Sequence, residues 1–154
     1  MSNKAWGWLL MAAVFALDQA SKAWLITDAP RVWKITPFFN VVMVWNHGIS
    51  FGMLASHDAR WLLIGVSLVA AAALLAWLQR GVTRPTACGI GLVTGGALGN
   101  ALDRLRLGAV ADFFDLHAAG WHWPAFNVAD SAICMGVALL CATSMLHKDY
   151  KAST

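Results

Sequence analysis

Residues 89–114 read GIGLVTGGALGNALDRLRLGAVADFF, and this stretch decides how the rest of the chain is interpreted. Its first half is apolar and has glycine at positions 91, 95 and 99, a spacing of four that lets a neighbouring helix pack closely. Its second half adds a dense group of polar side chains: Asn100, Asp103, Arg104, Arg106 and Asp112. Ionisable groups at the end of an apolar helix often indicate a functional site, and here that site would lie at a bilayer surface.

The composition of the whole chain is typical of an integral membrane protein. Of its 154 residues, 59% are hydrophobic and only 12% are charged, whereas soluble domains have about a quarter charged residues. The chain contains nine tryptophans and no glutamate. It has no glycine-rich phosphate loop and no basic face, so we expect no nucleic-acid partner.

Four apolar segments predict four transmembrane helices in a single domain of residues 1–154, with spans at about 6–26, 61–78, 87–102 and 126–146. A span needs about 20 apolar residues, so the third segment is the weakest by length. The first segment is interpreted as a retained helix, with a cleaved signal peptide as the alternative. With four spans, the two terminal segments and the short connection between the second and third spans share one side. Basic residues are denser in these short segments, which predicts cytoplasmic termini.

The two longer connections contain patterns that are typical of strands. Residues 38–45, FFNVVMVW, are β-branched and aromatic and predict one strand, while residues 108–116, GAVADFFDL, indicate another. In a strand, Asp112 and Asp115 point to opposite faces. We therefore expect one of them to face a membrane-side cavity and the other to face water.

Three polar pairs near the ends of the predicted helices each have two interpretations: Asp18 with Lys22, Asn100 with Arg104, and Asn127 with Asp130. In the structural interpretation, Asp18 and Lys22 form an internal ion pair, and Arg104 extends to interfacial water. Asn127 and Asp130 then only cap a helix. The functional interpretation is that all three pairs face the interior of the bundle and serve one site.

The strongest chemical hypothesis is a pair of aspartates, Asp112 and Asp130, brought together by folding. Two close carboxyl groups do not readily hold two negative charges, so they share a proton. The charged group accepts a proton from water, and the protonated group donates one to a substrate carbonyl or leaving amine. This chemistry hydrolyses a peptide bond without a metal or a covalent intermediate.

The histidines give a weaker hypothesis. His117 and His122, together with Asp112 or Asp115, are conceivable metal ligands, but their spacing matches no strong metal motif. No serine or cysteine stands beside a histidine in a nucleophile motif. We therefore expect no metal and no cofactor.

The chain resembles the lipoprotein signal peptidases, the signal peptidase II family of bacterial membrane aspartyl proteases. Five pieces in family order carry the resemblance: DQASK at 18–22, NHGISFG at 46–52, GGALGNALDR at 95–104, VADFF at 110–114 and FNVAD at 126–130. These pieces extend along nearly the whole chain. One departure is visible, since Ile49 and Ser50 stand where the family usually has two small residues, and it bears on the shape of the substrate cleft.

The resemblance implies an aspartic endopeptidase that removes the signal peptide from prolipoproteins, cutting before a cysteine that carries diacylglycerol. It implies Asp112 and Asp130 as catalytic residues. It also implies a set of supporting or substrate-binding residues: Asp18, Lys22, Asn46, Gly48, Asn100, Asp103, Arg104 and Asn127.

The resemblance also sets expectations for the fold and the partners. The fold would be an all-α membrane bundle of four transmembrane helices with a small periplasmic β-cradle. The chain would be a monomer in the bacterial inner membrane, with its active site at the periplasmic surface. Its partners would be the prolipoprotein, membrane lipid and a globomycin-like inhibitor.

Two alternatives belong to other functional classes. A small four-helix proton-coupled transporter would use Asp18 or Asp130 and would predict uptake that depends on membrane potential. A metal-dependent lipid-modifying enzyme would hold a cation on its aspartates and would be sensitive to chelators.

Overall fold

The computed structural model describes residues 1–28, 32–48 and 57–152, and the departure at Ile49 and Ser50 lies outside them. The described chain forms four long helices and four strands: α1 (Asn3–Asp28), β1 (Val32–Thr36), β2 (Phe39–Asn46), α2 (His57–Leu78), α3 (Arg84–Leu107), β3 (Val110–Ala118), β4 (Trp121–His122) and α4 (Val128–Ala152). The strands come from the two connections α1–α2 and α3–α4, as the sequence predicts.

Three of the helices in the described ranges are long and apolar enough to cross a membrane: Asn3–Thr27, Ala59–Leu78 and Val128–Met145. They correspond to the first, second and fourth predicted spans. The third predicted span, 87–102, lies within α3, which does not meet the same criterion, so four transmembrane helices are not confirmed. The physical reason is that α3 is rich in glycine and ends in Asn100, Asp103, Arg104 and Arg106.

Helix α3 occupies the centre of the bundle and contacts α1, α2 and α4. Its glycines allow this position, because a Cβ on Gly91 would overlap the backbone of Gly7, and one on Gly95 would lie 2.6 Å from the Met11 carbonyl oxygen. On the face towards α4, a Cβ on Gly96 would lie 2.5 Å from the Ala129 carbonyl oxygen. The spacing of four in the sequence therefore correctly predicts close helix packing.

Replacing Gly91 with alanine should lower the free energy of unfolding by about 1–3 kcal/mol, because the added methyl meets backbone that cannot rotate away. The matched control is Gly65→Ala in α2, where nothing lies within 4 Å of the added carbon. The free energy of unfolding of Gly65→Ala should be higher than that of the wild type by about 0.5–1 kcal/mol, because alanine has the higher helix propensity. Thermal unfolding in detergent measures both variants, and an unchanged midpoint for Gly91→Ala would contradict this packing.

The ends of α3 explain where the next strand begins. Thr83 caps the start of the helix, since its side chain accepts a hydrogen bond from the Thr86 amide. Gly108 ends the helix in a left-handed conformation with φ 81°, which glycine adopts without steric cost. Strand β3 begins two residues later, so Asp112 lies close to the end of α3.

The strands form one antiparallel sheet in the order β1-β2-β3-β4. The predicted strands at 38–45 and 108–116 are confirmed as β2 and β3, which pair Val44 with Asp112 and Asn40 with Asp115. The short strands β1 and β4 were not expected from the sequence. Strand β4 returns from β3 through Ala119 and Gly120, whose φ angles of 51° and 81° fit a two-residue hairpin turn.

Candidate active site

The two aspartates of the chemical hypothesis meet at the junction of the sheet and α4. Asp112 lies in β3 and is 2% exposed, and Asp130 lies in the first turn of α4. Asn127 contacts both groups. Its side-chain Nδ2 donates to Asp112 Oδ1 at 2.7 Å, and its backbone N–H donates to Asp130 Oδ2 at 3.2 Å.

Two further carboxamides complete the hydrogen bonding of these carboxyl groups. Asn46 of β2 donates to Asp112 Oδ2 at 3.0 Å, and Asn100 of α3 donates to Asp130 Oδ1 at 2.8 Å. All four carboxyl oxygens of the pair therefore accept a hydrogen bond. The three donors come from separate parts of the chain, so only the complete fold assembles the site.

The helix cap expected of Asn127 and Asp130 is present, and Asn127 also contacts Asp112. The Asp130 amide donates to Asn127 Oδ1 at 2.9 Å while Asp130 Oδ2 accepts from the Asn127 amide, which is a reciprocal cap at the start of α4. The same carboxyl group also accepts from Asn100. The cap thus fixes the orientation of Asp130 relative to Asp112.

Lys22 is a buried cation between two carboxylates. Its Nζ lies 2.8 Å from Asp18 Oδ2 and 2.7 Å from Asp103 Oδ2, and the Lys22 side chain is only 2% exposed. The same Nζ donates to Asn100 Oδ1 at 3.0 Å. The ion pair expected within α1 therefore exists, and it also orients the amide that bonds to Asp130.

Asp18 and Asp103 each hold the start of another element. Asp18 Oδ1 accepts from the Ala129 amide at 3.0 Å, at the beginning of α4. Asp103 Oδ2 accepts from the Ala111 amide at 3.4 Å, next to Asp112 in β3. The two carboxylates therefore tie α1 and α3 to the elements that carry Asp130 and Asp112.

Gln19 also belongs to this network, although it is not among the site residues predicted from the sequence. Its Nε2 donates to Asp18 Oδ2 at 3.1 Å, to Asp103 Oδ1 at 3.0 Å and to the Gly99 carbonyl at 3.3 Å. The sequence feature that could have identified Gln19 is its position in the piece DQASK, between Asp18 and Lys22.

Arg104 does not extend to interfacial water. It is 8% exposed, and its Nη2 donates to the Gly48 carbonyl oxygen at 2.6 Å. Gly48 is also tied to the site, because its amide donates to Asn46 Oδ1 at 3.1 Å. Arg104 therefore holds a backbone carbonyl in the segment that carries Asn46.

The environment of Asp112 favours its protonated form. Burial raises the pKa of Asp112 to about 7, and the nearby charge of Asp130 acts in the same direction, against the hydrogen bonds from Asn46 and Asn127. A carboxyl group that keeps its proton near neutral pH is suited to act as a general acid.

The raised pKa of Asp112 predicts a pH dependence of stability. The folded protein holds this proton up to about pH 7, whereas an unfolded chain releases it near pH 4. The stability contributed by Asp112 is therefore complete below about pH 4 and is lost as the pH rises through about 7. The Asp112→Asn variant lacks this titration, so the Tm of the wild type should fall relative to that of the variant over this interval. Parallel Tm curves would contradict the prediction.

An open groove of about 530 Å³ lies beside Asp130. Its walls are mainly apolar and include Leu116, Trp123, Phe126 and Ile133. Asp130 therefore borders a space whose walls suit an apolar ligand.

Asp115 corrects one expectation. It is 6% exposed and so does not face water. Its carboxylate accepts from Asn40 Nδ2 at 2.9 Å and lies 2.8 Å from His122 Nδ1. Burial raises the pKa of Asp115, but the hydrogen bonds of His122 and Asn40 outweigh this, and the net pKa is below the usual value.

Residues 10–146 match the family described as signal peptidase (SPase) II. The lipoprotein signal peptidase of Methylorubrum extorquens (strain PA1) is 46% identical to this chain, over 90% of this chain and 85% of that protein. The lipoprotein signal peptidase of Methylobacterium sp. (strain 4-46) is 49% identical, over 82% of this chain and 81% of that protein. A solved structure described as a bacterial membrane enzyme is similar with a TM-score of 0.84 at 27% identity, covering 96% of this chain and 91% of that one. A second such structure has a TM-score of 0.77 at 27% identity, covering 89% and 90%. With the family match spanning most of its length, the chain belongs to the signal peptidase II family.

Proposed function

We propose that this chain is an aspartic endopeptidase that removes the signal peptide from prolipoproteins by cleavage before a diacylglyceryl-modified cysteine. Its family and its lipoprotein signal peptidase relatives support the substrate class. The observation that supports the aspartic mechanism is the single asparagine, Asn127, that hydrogen-bonds to both Asp112 and Asp130.

In the proposed mechanism the pair carries one proton. The charged carboxylate takes a proton from water, whose oxygen attacks the scissile carbonyl while the protonated carboxyl donates to the carbonyl oxygen. The tetrahedral gem-diol then collapses: one of its hydroxyl groups returns a proton to the charged carboxylate, the C–N bond breaks, and the leaving amine takes a proton from the other carboxyl group. The pair again carries one proton. The pKa of Asp112, near 7, supports a shared proton at neutral pH.

The supporting residues act by position. Asn46, Asn100 and Asn127 orient the two carboxyl groups, and Lys22 orients Asn100. Arg104 anchors the Gly48 carbonyl next to Asn46. Asp18 and Asp103 balance the charge of Lys22 and tie α4 and β3 to the bundle.

The proposed position of the reaction explains the charges that follow the apolar part of α3. Diacylglycerol anchors the substrate cysteine in the bilayer, so the scissile bond lies at the membrane surface. We propose that α3 crosses the bilayer with the three more apolar helices, which puts both termini in the cytoplasm and the aspartates at the periplasmic surface of the inner membrane.

The groove beside Asp130 would receive the substrate or a globomycin-like cyclic peptide. A monomer suffices for the proposed reaction, because one chain supplies both carboxyl groups.

The test is a gel-shift assay with the purified protein in detergent and a diacylglyceryl prolipoprotein, with and without EDTA. We expect cleavage that is unchanged by EDTA, and no cleavage of the same precursor with an unmodified cysteine. Loss of cleavage in EDTA would favour the metal-dependent alternative. The transporter alternative has no support from the family match, and cleavage without any membrane potential would argue directly against it.

A further inference from the structure

A cluster of three side chains that can ligate a metal ion lies on the sheet, in β3 and β4. His117 of β3 and His122 of β4 are directly opposite each other in the antiparallel register. Their rings stack with centroids 4.9 Å apart and planes 13° apart. The β3–β4 hairpin therefore presents two imidazoles side by side.

Asp115 completes the cluster, because it lies two residues before His117 and so shares its face of β3. Its Oδ1 is 2.8 Å from His122 Nδ1, and its Oδ2 is 3.6 Å from His117 Nδ1. One ligand atom from each of the three residues lies within 4.8 Å of the other two. In the sequence these residues are conceivable ligands, but their spacing matches no strong metal motif. The hairpin turn that brings them together was not expected.

The carboxylate of Asp115 is held by a neighbour outside the hairpin. Asn40 of β2 pairs with Asp115 in the sheet register, and its Nδ2 donates to Asp115 Oδ2 at 2.9 Å. A hydrogen bond to a ligating carboxylate is a common feature of metal sites, because it fixes the direction of the ligand atom. His122 is about half exposed, which leaves a path for an ion from solvent.

We propose that Asp115, His117 and His122 form a binding site for a Zn²⁺-type divalent ion. Two imidazole nitrogens and one carboxylate oxygen are a ligand set that suits Zn²⁺, with water in the fourth position. A tetrahedral zinc site separates its ligand atoms by about 3.3 Å. Binding would require the side chains, chiefly that of His117, to rotate until the three ligand atoms reach that spacing. A bound ion would stabilise the β3–β4 hairpin and would take no part in the proposed chemistry of Asp112 and Asp130.

The test is isothermal titration of the purified full-length protein with Zn²⁺, after removal of any histidine tag. We expect one ion per chain with a micromolar or tighter Kd, and at least about a tenfold weaker Kd in His117→Ala and in His122→Gln. His47→Ala removes an exposed imidazole outside the cluster and should leave the Kd unchanged. Co²⁺ in place of Zn²⁺ should give visible d–d absorption that both cluster variants lose.

Prolipoprotein cleavage in EDTA reports whether each variant is folded, because the cluster is not part of the proposed catalytic machinery. Titration without stoichiometric binding in the wild type would overturn the proposal. So would unchanged Zn²⁺ affinity in cluster variants that still cleave the precursor, because the ion would then bind elsewhere.

Discussion

Changing Asp112 or Asp130 to asparagine should lower the rate of prolipoprotein cleavage by at least about 10²–10⁴-fold, the usual contribution of general acid–base catalysis. Asparagine keeps the size of the side chain and some of its hydrogen bonds, but it cannot accept and return a proton. In the proposed mechanism the two carboxyl groups act as one unit, so the double variant should be about as slow as either single variant.

The control for this pair of variants is Asp149→Asn, at the opposite end of α4 from Asp130. It makes the same chemical change in the same helix and should keep the wild-type rate. Single-turnover cleavage of a diacylglyceryl precursor measures all four proteins. Near-wild-type cleavage by Asp112→Asn or Asp130→Asn would remove the aspartate pair as the catalytic group.

Replacing Lys22 with methionine should lower the free energy of unfolding by about 3–5 kcal/mol, the usual effect of removing one partner from a buried ion pair. Methionine is similar in length, but it leaves the carboxylates of Asp18 and Asp103 facing each other without a cation. It also removes the donor that orients Asn100, so cleavage by the folded fraction should slow as well.

Lys34→Met is the matched control, since Lys34 is an exposed residue of β1. Thermal unfolding in detergent, followed by the loss of helical circular dichroism, measures the two variants. Equal unfolding midpoints for Lys22→Met and Lys34→Met would mean that the buried network contributes no net stability.

The sequence predicts most of the fold because two kinds of signal are strong. Long apolar runs identify α1, α2 and α4, and the β-branched stretch at 38–45 identifies β2. The β3–β4 hairpin was missed because its turn uses Ala119 before Gly120, whereas asparagine or aspartate is usual at that position. The third predicted span forms a helix, α3, but it is not confirmed as a membrane span, because α3 is rich in glycine and ends in charged residues.

For the candidate site, the sequence indicates the residues but not their partners. The pieces that resemble the family include Asp112, Asp130 and Asn127, and the structure brings these three together. The burial of Asp115 was not predictable, because it depends on His122 and Asn40, which adjoin it only after the strands pair. Cross-strand neighbours of this kind are set by register, and a single sequence gives little information about register.

The position of α3 at the centre of the bundle has a consequence for how the protein is made. A helix that presents glycine and buried polar groups to its neighbours gains little by entering lipid alone. Helices α1 and α2 precede α3 in the chain, so they leave the ribosome first. We expect α1 and α2 to insert first and to provide the surface against which α3 packs. Helix α4 inserts last and brings Asp130 to the strand that carries Asp112. Membrane integration and assembly of the catalytic pair would then be the same event.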